Sequence, residues 1–349
     1  MRDVRLLEQL WWGDTAAARA GRTLLRPLEL VYGGAVSIRG ALYDAGVLSS
    51  HVPALPTLSV GNIAVGGTGK TPMAAWLAAR LRDRGAHPAL VLRGYGDDEP
   101  LVHARLNPDV PVIVAPDRLE GIARAAASGA DVAVLDDAFQ HRRAQRTADI
   151  VLVSAERWTR TPRLLPAGPW RESLRALRRT SMILVTRKSA TAAEASVVAH
   201  DLDRLFPGIP CGIVHLALAG LHQMDGGATR ALDALAGARV LAISAIGEPT
   251  AFVRQLEERG RSALGGRVRA WTLPDHHPFT PSAAARIAET LEPGELAVCT
   301  LKDAVKLGPV WPRAASPLWY VSQRPTIERG AAAIDDLLAR VLDARHPPR

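Results

Sequence analysis

Lys70 and Thr71 close a glycine-rich run, Ala64-Val65-Gly66-Gly67-Thr68-Gly69. A loop of this composition ending in lysine and a hydroxyl residue suits the phosphates of a nucleotide. Gly66, Gly67 and Gly69, with Thr68 between them, let the backbone wind tightly and aim N–H groups inward. Lys70 can then reach the terminal phosphates, and the Thr71 hydroxyl can ligate Mg²⁺. Ala64 stands where the strict pattern has glycine, so the flanking context carries the argument. A β-rich run at 57–62 precedes the loop, and Met73, Ala74, Leu77, Ala78 and Leu81 follow at helical spacing. Strand, loop and helix are predicted, with the helix N-terminus adding partial positive charge. Only four of the 43 basic residues are lysine: Lys70, Lys188, Lys302 and Lys306. In a chain that otherwise uses arginine, a compact ammonium at this position suits a phosphate cradle.

Four further clusters could carry chemistry. Asp136 and Asp137 end the apolar run 132–135, the position of a metal-holding acid in a P-loop protein, where Mg²⁺ takes carboxylate oxygens plus waters. Gln140 and His141 follow closely and can face the same mouth. Gly96-Asp97-Asp98-Glu99-Pro100 lies just beyond a predicted strand and is read either as the place of an acid that accepts a proton from an attacking hydroxyl or as an acidic turn before proline. Pro274-Asp275-His276-His277-Pro278-Phe279 is read either as a structural loop or as a histidine whose neighbouring acid tunes a catalytic group. Lys302 and Lys306 lie in 300–306, read either as a helix start capped by Thr300 or as a phosphate contact.

These residues need a scaffold. Apolar runs at 88–93, 110–114, 131–135, 150–153 and 182–185 alternate with helical patterns at 73–81, 118–127 and 192–205. That alternation predicts an α/β fold, a P-loop NTPase-type doubly wound, mostly parallel sheet. A boundary is expected near 206–218. Beyond it, strands at 240–244, 268–273 and 296–300 and helices at 250–258, 283–291 and 331–342 predict a second, smaller α/β domain. The expected division is 1–50, an amphipathic helical segment, then 51–212 and 213–349.

Composition bounds the rest. Hydrophobic content of 48% and charge of 22% describe a globular protein. Two cysteines exclude a disulfide framework and a four-cysteine zinc site. That cysteine usage fits a reducing, cytosolic setting; Asp3, Arg5 and Glu8 interrupt any apolar leader, and no apolar run approaches the ~20 residues of a membrane span. Net charge is +8, and residues 138–190 carry twelve Lys/Arg against three Asp/Glu, enough to account for the whole imbalance. That window is read either as solvated helix faces or as a surface for anions. Few aromatics interleave it, which argues against stacked single-stranded nucleic acid.

Together these motifs resemble one family, the tetraacyldisaccharide 4′-kinases (lipid A 4′-kinases). The resemblance rests on the run 60–72, Arg93-Gly94-Tyr95-Gly96, Asp98-Glu99-Pro100 and Asp136-Asp137-Ala138-Phe139-Gln140-His141. It continues through Leu165-Pro166-Ala167-Gly168-Pro169-Trp170-Arg171-Glu172, residues 274–279 and Lys302-Asp303-Ala304-Val305-Lys306. It implies an ATP-dependent lipid kinase of lipid A and lipopolysaccharide biosynthesis, working with Mg²⁺ and peripheral on the cytoplasmic face of the inner membrane. The implied substrate is a lipid disaccharide 1-phosphate, phosphorylated at its 4′-hydroxyl. No nucleic acid and no obligate protein partner are expected. By the resemblance, 51–212 is the kinase domain, Asp98 is the catalytic base assisted by His276, and Gly66, Gly67, Thr68, Gly69, Lys70 and Thr71 bind ATP. Thr71, Asp136 and Asp137 serve the metal. Asn62, Gln140, His141, Arg171, Glu172 and Lys302 are expected substrate or phosphate contacts. The family's two-stranded hinge is matched to 214–218 and 318–322, and the segment 1–50 suits a substrate held in a bilayer.

The chain departs from the pattern in three places. The stretch between Tyr95 and Asp98 is short, which makes Asp97 a competitor for the base. Ala138 stands where glycine is usual and requires a negative φ. Leu301 replaces a glutamate. Two alternatives stay open on the residues alone. One is a P-loop GTPase or metal-delivery switch, against which stand Val65 before the two glycines and the lack of an Asn-Lys-x-Asp motif. The other is a nucleic-acid-dependent ATPase using the arginine window.

Overall fold

Buried strands need apolar residues on both faces, and the continuous runs form them. The structure is a computed structural model, and it describes residues 7, 9–94, 96, 98–247, 249–260, 266–274 and 277–345. In chain order these form α1 (Ala16–Leu24), α2 (Arg26–Asp44), β1 (Thr57–Asn62), α3 (Lys70–Arg82), β2 (Pro88–Leu92), α4 (Asp98–Leu106) and β3 (Val112–Val114). Next come α5 (Arg118–Ala127), β4 (Val132–Asp136), β5 (Ala148–Ser154), β6 (Met182–Arg187), α6 (Ala192–Leu205), β7 (Cys211–Gln223) and β8 (Thr229–Arg230). The chain continues with β9 (Arg239–Ser244), α7 (Pro249–Gly260), β10 (Arg267–Thr272), α8 (Pro281–Glu289), β11 (Leu296–Thr300), α9 (Leu301–Leu307), β12 (Leu318–Arg329) and α10 (Ala331–Asp343).

The chain divides into two units that are not contiguous in sequence. The first holds residues 1–94, 107–214 and 327–349, and the second holds 95–106 and 215–326. The sequence reading ran each domain as one stretch. The structure assigns α4 to the second unit and α10 to the first. β7 and β12, of 13 and 12 residues, run through the unit boundaries at 214/215 and 326/327. Residues 214–218 straddle the first boundary, whereas 318–322 lie wholly within the second unit.

In the first unit the strand order is β6-β5-β1-β4-β2-β3, and these pairings are parallel. β1 lies between β4 and β5, where the direction of strand addition reverses. Carboxyl ends of strands at such a reversal form a ligand crevice. α3 buries Met73, Ala74, Leu77, Ala78 and Leu81, and Thr191 with Glu194 caps α6 reciprocally. Phe139 is fully buried with Ile63, Val151 and Ile183, a burial worth about 1.5–3 kcal/mol.

Much of the arginine window is ion-paired within the protein. Arg142 pairs with Asp44 at 2.6 Å, Arg143 with Asp117 at 2.7 Å, Arg146 with Asp149 at 2.8 Å and Arg179 with Glu172 at 2.8 Å. Planar guanidinium forks suit such pairing with carboxylates. α2 behaves differently. It buries none of its residues, and Leu28, Val31 and Ile38 are 57%, 71% and 63% exposed along one helical face. Leu30 is 74% exposed beside that face. The helix is held by its polar groups, Glu29 accepting from Leu164 N at 2.8 Å and Tyr32 donating to Arg171 O at 3.0 Å. No helix among the described residues is long and apolar enough to cross a membrane.

In the second unit the order is β10-β9-β11-β12-β7, with β8 antiparallel on β7. The pairings of β10 with β9, β9 with β11 and β11 with β12 are parallel. α4 lies against α9, with Val102 packed among Leu301, Val305 and Phe279. Of the two readings of 96–100, the turn is set aside from Asp98 onward, because Asp98 is the first residue of a helix. Burial pushes the Cys211 thiol up to about 12 and Cys299 well above its ordinary value. Both are buried, non-nucleophilic thiols.

Candidate active site

The candidate residues form two groups, one in each unit. In the first, Gly66 and Gly69 take φ of 119° and 89°, left-handed values that glycine adopts without steric cost. A Cβ added at Gly66 would lie 3.0 Å from Arg157 Nη1. The loop is braced throughout. Val65 N donates to Pro169 O at 2.7 Å, Asn62 Nδ2 donates to Thr68 Oγ1 at 3.0 Å, and Thr186 Oγ1 donates to Thr68 O at 3.0 Å. Lys188 Nζ donates to Gly67 O. Lys188 is itself anchored by Glu156, which accepts from the backbone N–H of Lys188, Ser189 and Ala190. Burial works against the Glu156 carboxylate, but these bonds and the Ser154 hydroxyl hold its pKa below the ordinary value.

Lys70 and Thr71 open α3, whose N-terminal amides and dipole favour an anion. Lys70 Nζ lies 3.8 Å from Asp137, and Arg171 Nη1 approaches the same carboxylate at 3.1 Å. Asp136 ends β4, is 3% exposed and stands in register with Val60. Its carbonyl accepts from the buried Arg118 at 3.0 Å. Asp137 takes φ of 49°, while Ala138 keeps out of the left-handed region. The strained position therefore falls on aspartate, among the non-glycine residues most often found there, and the missing glycine at 138 is tolerated.

Of the other expected contacts, Gln140 donates to Asn62 O at 2.8 Å and receives Arg171 at 3.5 Å. Asn62 is fully buried, and its Oδ1 has no hydrogen-bond partner among the described residues. His141 lies 3.9 Å from Asp117. Burial and then the Arg118 charge lower its pKa, outweighing Asp117, so the ring is neutral at pH 7. Glu172 is 8% exposed and held by Arg179, which stacks on the Phe139 ring at 3.8 Å.

In the second unit Asp98 is 1% exposed at the start of α4. Lys302 and Lys306, one turn apart on α9, lie 3.7 and 3.6 Å from its carboxylate. Thr300 caps α9, accepting from Asp303 N at 3.1 Å. Buried Asp303 also accepts from Ala245 N at 3.1 Å, and burial raises its pKa. The Thr300 cap expected from sequence is present, and both lysines face a carboxylate. Asp97, Asp275 and His276 lie outside the described residues.

Sequence reasoning missed Lys188, Glu156, Arg157 and the pairing of Lys306. The scarcity of lysine was the available signal for two of them.

A braced glycine loop at the carboxyl end of β1, a lysine and threonine opening the next helix, and paired acids ending a neighbouring strand define a P-loop phosphoryl-transfer protein. Comparison narrows the class. The chain belongs to the tetraacyldisaccharide-1-P 4′-kinase family, whose model matches residues 21–98 and 97–343. It is 39% identical over 375 residues to the tetraacyldisaccharide 4′-kinase of Anaeromyxobacter sp. (strain Fw109-5), spanning 98% of this chain and 96% of that one. It is 35% identical to that of Halorhodospira halophila, over 95% and 96% of the two chains. A crystal structure of LpxK from Aquifex aeolicus in complex with ATP aligns with a TM-score of 0.72 and 27% identity, covering 92% of this chain and 99% of that one. The family favours the kinase over the GTPase switch.

Proposed function

We propose that this protein transfers the γ-phosphoryl group of ATP to the 4′-hydroxyl of a tetraacyldisaccharide 1-phosphate, releasing ADP, in lipid A biosynthesis. Lys70 at the N-terminus of α3, with the glycine cradle before it, is the observation that carries the reading. Phosphoryl transfer requires positioning and neutralisation of charge on the equatorial oxygens more than covalent chemistry. The loop amides and Lys70 supply both. Thr71, Asp136 and Asp137 would hold Mg²⁺. One hydroxyl and two carboxylates are the oxygen set this hard cation takes alongside phosphate and water. When bound, the ion neutralises the β- and γ-phosphate oxygens.

Asp98 accepts the proton of the attacking hydroxyl as its oxygen bonds to phosphorus and the bond to the ADP oxygen breaks. His276 assists it. Arg171, Gln140, Asn62 and Lys302 serve the phosphates of nucleotide or substrate, with neutral His141 as a hydrogen-bonding neighbour. Glu172 acts through Arg179. The exposed apolar residues of α2 lie on the membrane, peripheral on the cytoplasmic face of the inner membrane, where the acylated substrate resides.

The test is transfer of radiolabel from ATP to the disaccharide 1-phosphate in detergent, with mass spectrometry of the product. Lys70→Ala should lose about 10²–10³-fold in turnover. A Lys70→Ala protein with full transfer, or a product phosphorylated elsewhere, would overturn the reading.

A further inference from the structure

Asp98 presents a physical problem that its role does not explain. A carboxylate with 1% exposure has lost its hydration and must be charge-paired and held. The N-terminus of α4 supplies partial positive charge. The two lysines of α9 add their charge at 3.7 and 3.6 Å.

The two lysines are not equivalent. Lys302 has the more exposed side chain, 29% against 16% for Lys306. Lys306 also contacts a third segment. Its Nζ donates to His277 O at 3.4 Å and lies 5.7 Å from the centre of the Phe279 ring. Phe279 in turn meets the His277 ring edge-on at 5.7 Å and packs into the core shared by α4 and α9. One ammonium therefore touches the first residue of α4 and the loop that follows β10. That loop carries His277 immediately after His276.

We infer that Lys306 is a positioning residue for the phosphoryl-transfer base: its ammonium holds the Asp98 carboxylate and the His277 carbonyl together, setting the base against the histidine-bearing loop. The inference rests on the assignment of Asp98 as base. An ammonium with three donors on a flexible stem can serve a carboxylate and a carbonyl at once. The arrangement also explains how a buried acid stays in place before substrate arrives.

The experiment compares wild type with Lys306→Met, Lys306→Arg, Lys302→Met and Asp98→Asn. It measures kcat and KM for both substrates, ATP affinity by calorimetry, and melting temperature. Lys306→Met should lower kcat about 100-fold, the cost of misplacing a reacting group by about an ångström. Both KM values and ATP affinity should stay within about threefold of wild type. Lys306→Arg should recover to at least about a tenth of wild-type kcat, since it restores the charge and a donor but not the shape. Lys302→Met should affect KM for the lipid more than kcat. An unchanged kcat in Lys306→Met overturns the inference. So does a KM effect that exceeds the kcat effect, because Lys306 would then be a substrate contact. If Lys306→Met does not fold, Lys306→Gln takes its place, and failure of both assigns Lys306 to the fold and overturns the inference. Asp98→Asn separates the two levels: full activity in that variant sinks the base assignment itself, whereas an inactive Asp98→Asn beside a fully active Lys306→Met sinks only the positioning role.

Discussion

Gly61 is the point where the packing of the fold and the geometry of the acids meet, so Gly61→Ala is a demanding perturbation. The residue sits in β1 between two parallel neighbours, with Gly61 opposite Val151 and Val60 opposite Asp136. A Cβ placed there lies 2.5 Å from Phe139 Cβ and 2.9 Å from Phe139 N. Carbon atoms rest at about 3.5–4.0 Å, so one side must move by about 1 Å. β1 is fixed by its pairings. Phe139 is fully buried and covered by Arg179, so the displacement runs into the backbone just after Asp136 and Asp137. Overpacking of this kind costs about 1–3 kcal/mol, a fall of roughly 4–8 °C in melting temperature for a loss of ~2 kcal/mol in a unit of this size. An ångström of displacement at the acids should lower kcat about 100-fold. Differential scanning calorimetry and steady-state kinetics on one preparation read both effects. Gly34→Ala is the control: it is exposed in α2, nothing lies within 4 Å of its added Cβ, and it should gain about 0.5–1 kcal/mol from helix propensity. A Gly61→Ala protein with a melting temperature and kcat like wild type would refute the claim that Phe139 transmits strain from β1 to the acids.

Other outcomes follow from the same structure. The Glu295 carboxylate accepts two bonds from Arg269, at 2.6 and 2.9 Å, which hold its pKa below the ordinary 4.5. A depressed folded-state value gives stability that is present above pH 4.5 and lost as pH falls through that lower value. Glu295→Gln should therefore melt lower than wild type at pH 7, with the difference closing in acid; a difference independent of pH would count against the ion pair. Leu30→Glu with Val31→Glu replaces two side chains that are 74% and 71% exposed. Melting temperature should hold, while sedimentation with phospholipid vesicles falls; undiminished vesicle binding would remove α2 from the membrane contact.

The parallel sheet of the first unit was legible because its strands are continuous apolar runs bounded by glycine and helical spacing. Residues 118–127 and 192–205 are helices in the structure as in the sequence. β7 and β12 were read only in part. They mix apolar, small and polar residues along 13 and 12 positions, so neither alternation nor a continuous run marks their full length. α4 was missed for a local reason. Asp98-Glu99-Pro100 follows two glycines, which reads as a turn, yet acids and proline also suit the first turn of a helix, and Val102 has partners in α9 that are distant in sequence. The same blindness to distant pairing hid the bond from Lys188 to Gly67 and the approach of Lys306 to Asp98. The P-loop and the paired acids needed no such information, because their chemistry is written within a few consecutive residues.

The division of labour between the two basic residue types ties these observations together. Arginine forms the pairs that hold segments of each unit, as with Arg146 on Asp149, Arg179 on Glu172 and Arg269 on Glu295. A planar fork that meets a carboxylate in fixed geometry stabilises one arrangement and resists others. Each of the four lysines lies beside a candidate residue of its own unit: Lys70 by the Asp137 carboxylate, Lys188 by the Gly67 carbonyl, and Lys302 and Lys306 by the Asp98 carboxylate. An ammonium is compact, and its stem lets it follow an anion through a change of position. A transferring phosphoryl group moves its charge from a nucleotide oxygen to a sugar oxygen, so cations around it must follow a shifting target. Composition biased so strongly toward arginine makes this separation visible, and replacing any of the four lysines with arginine should change turnover more than it changes stability.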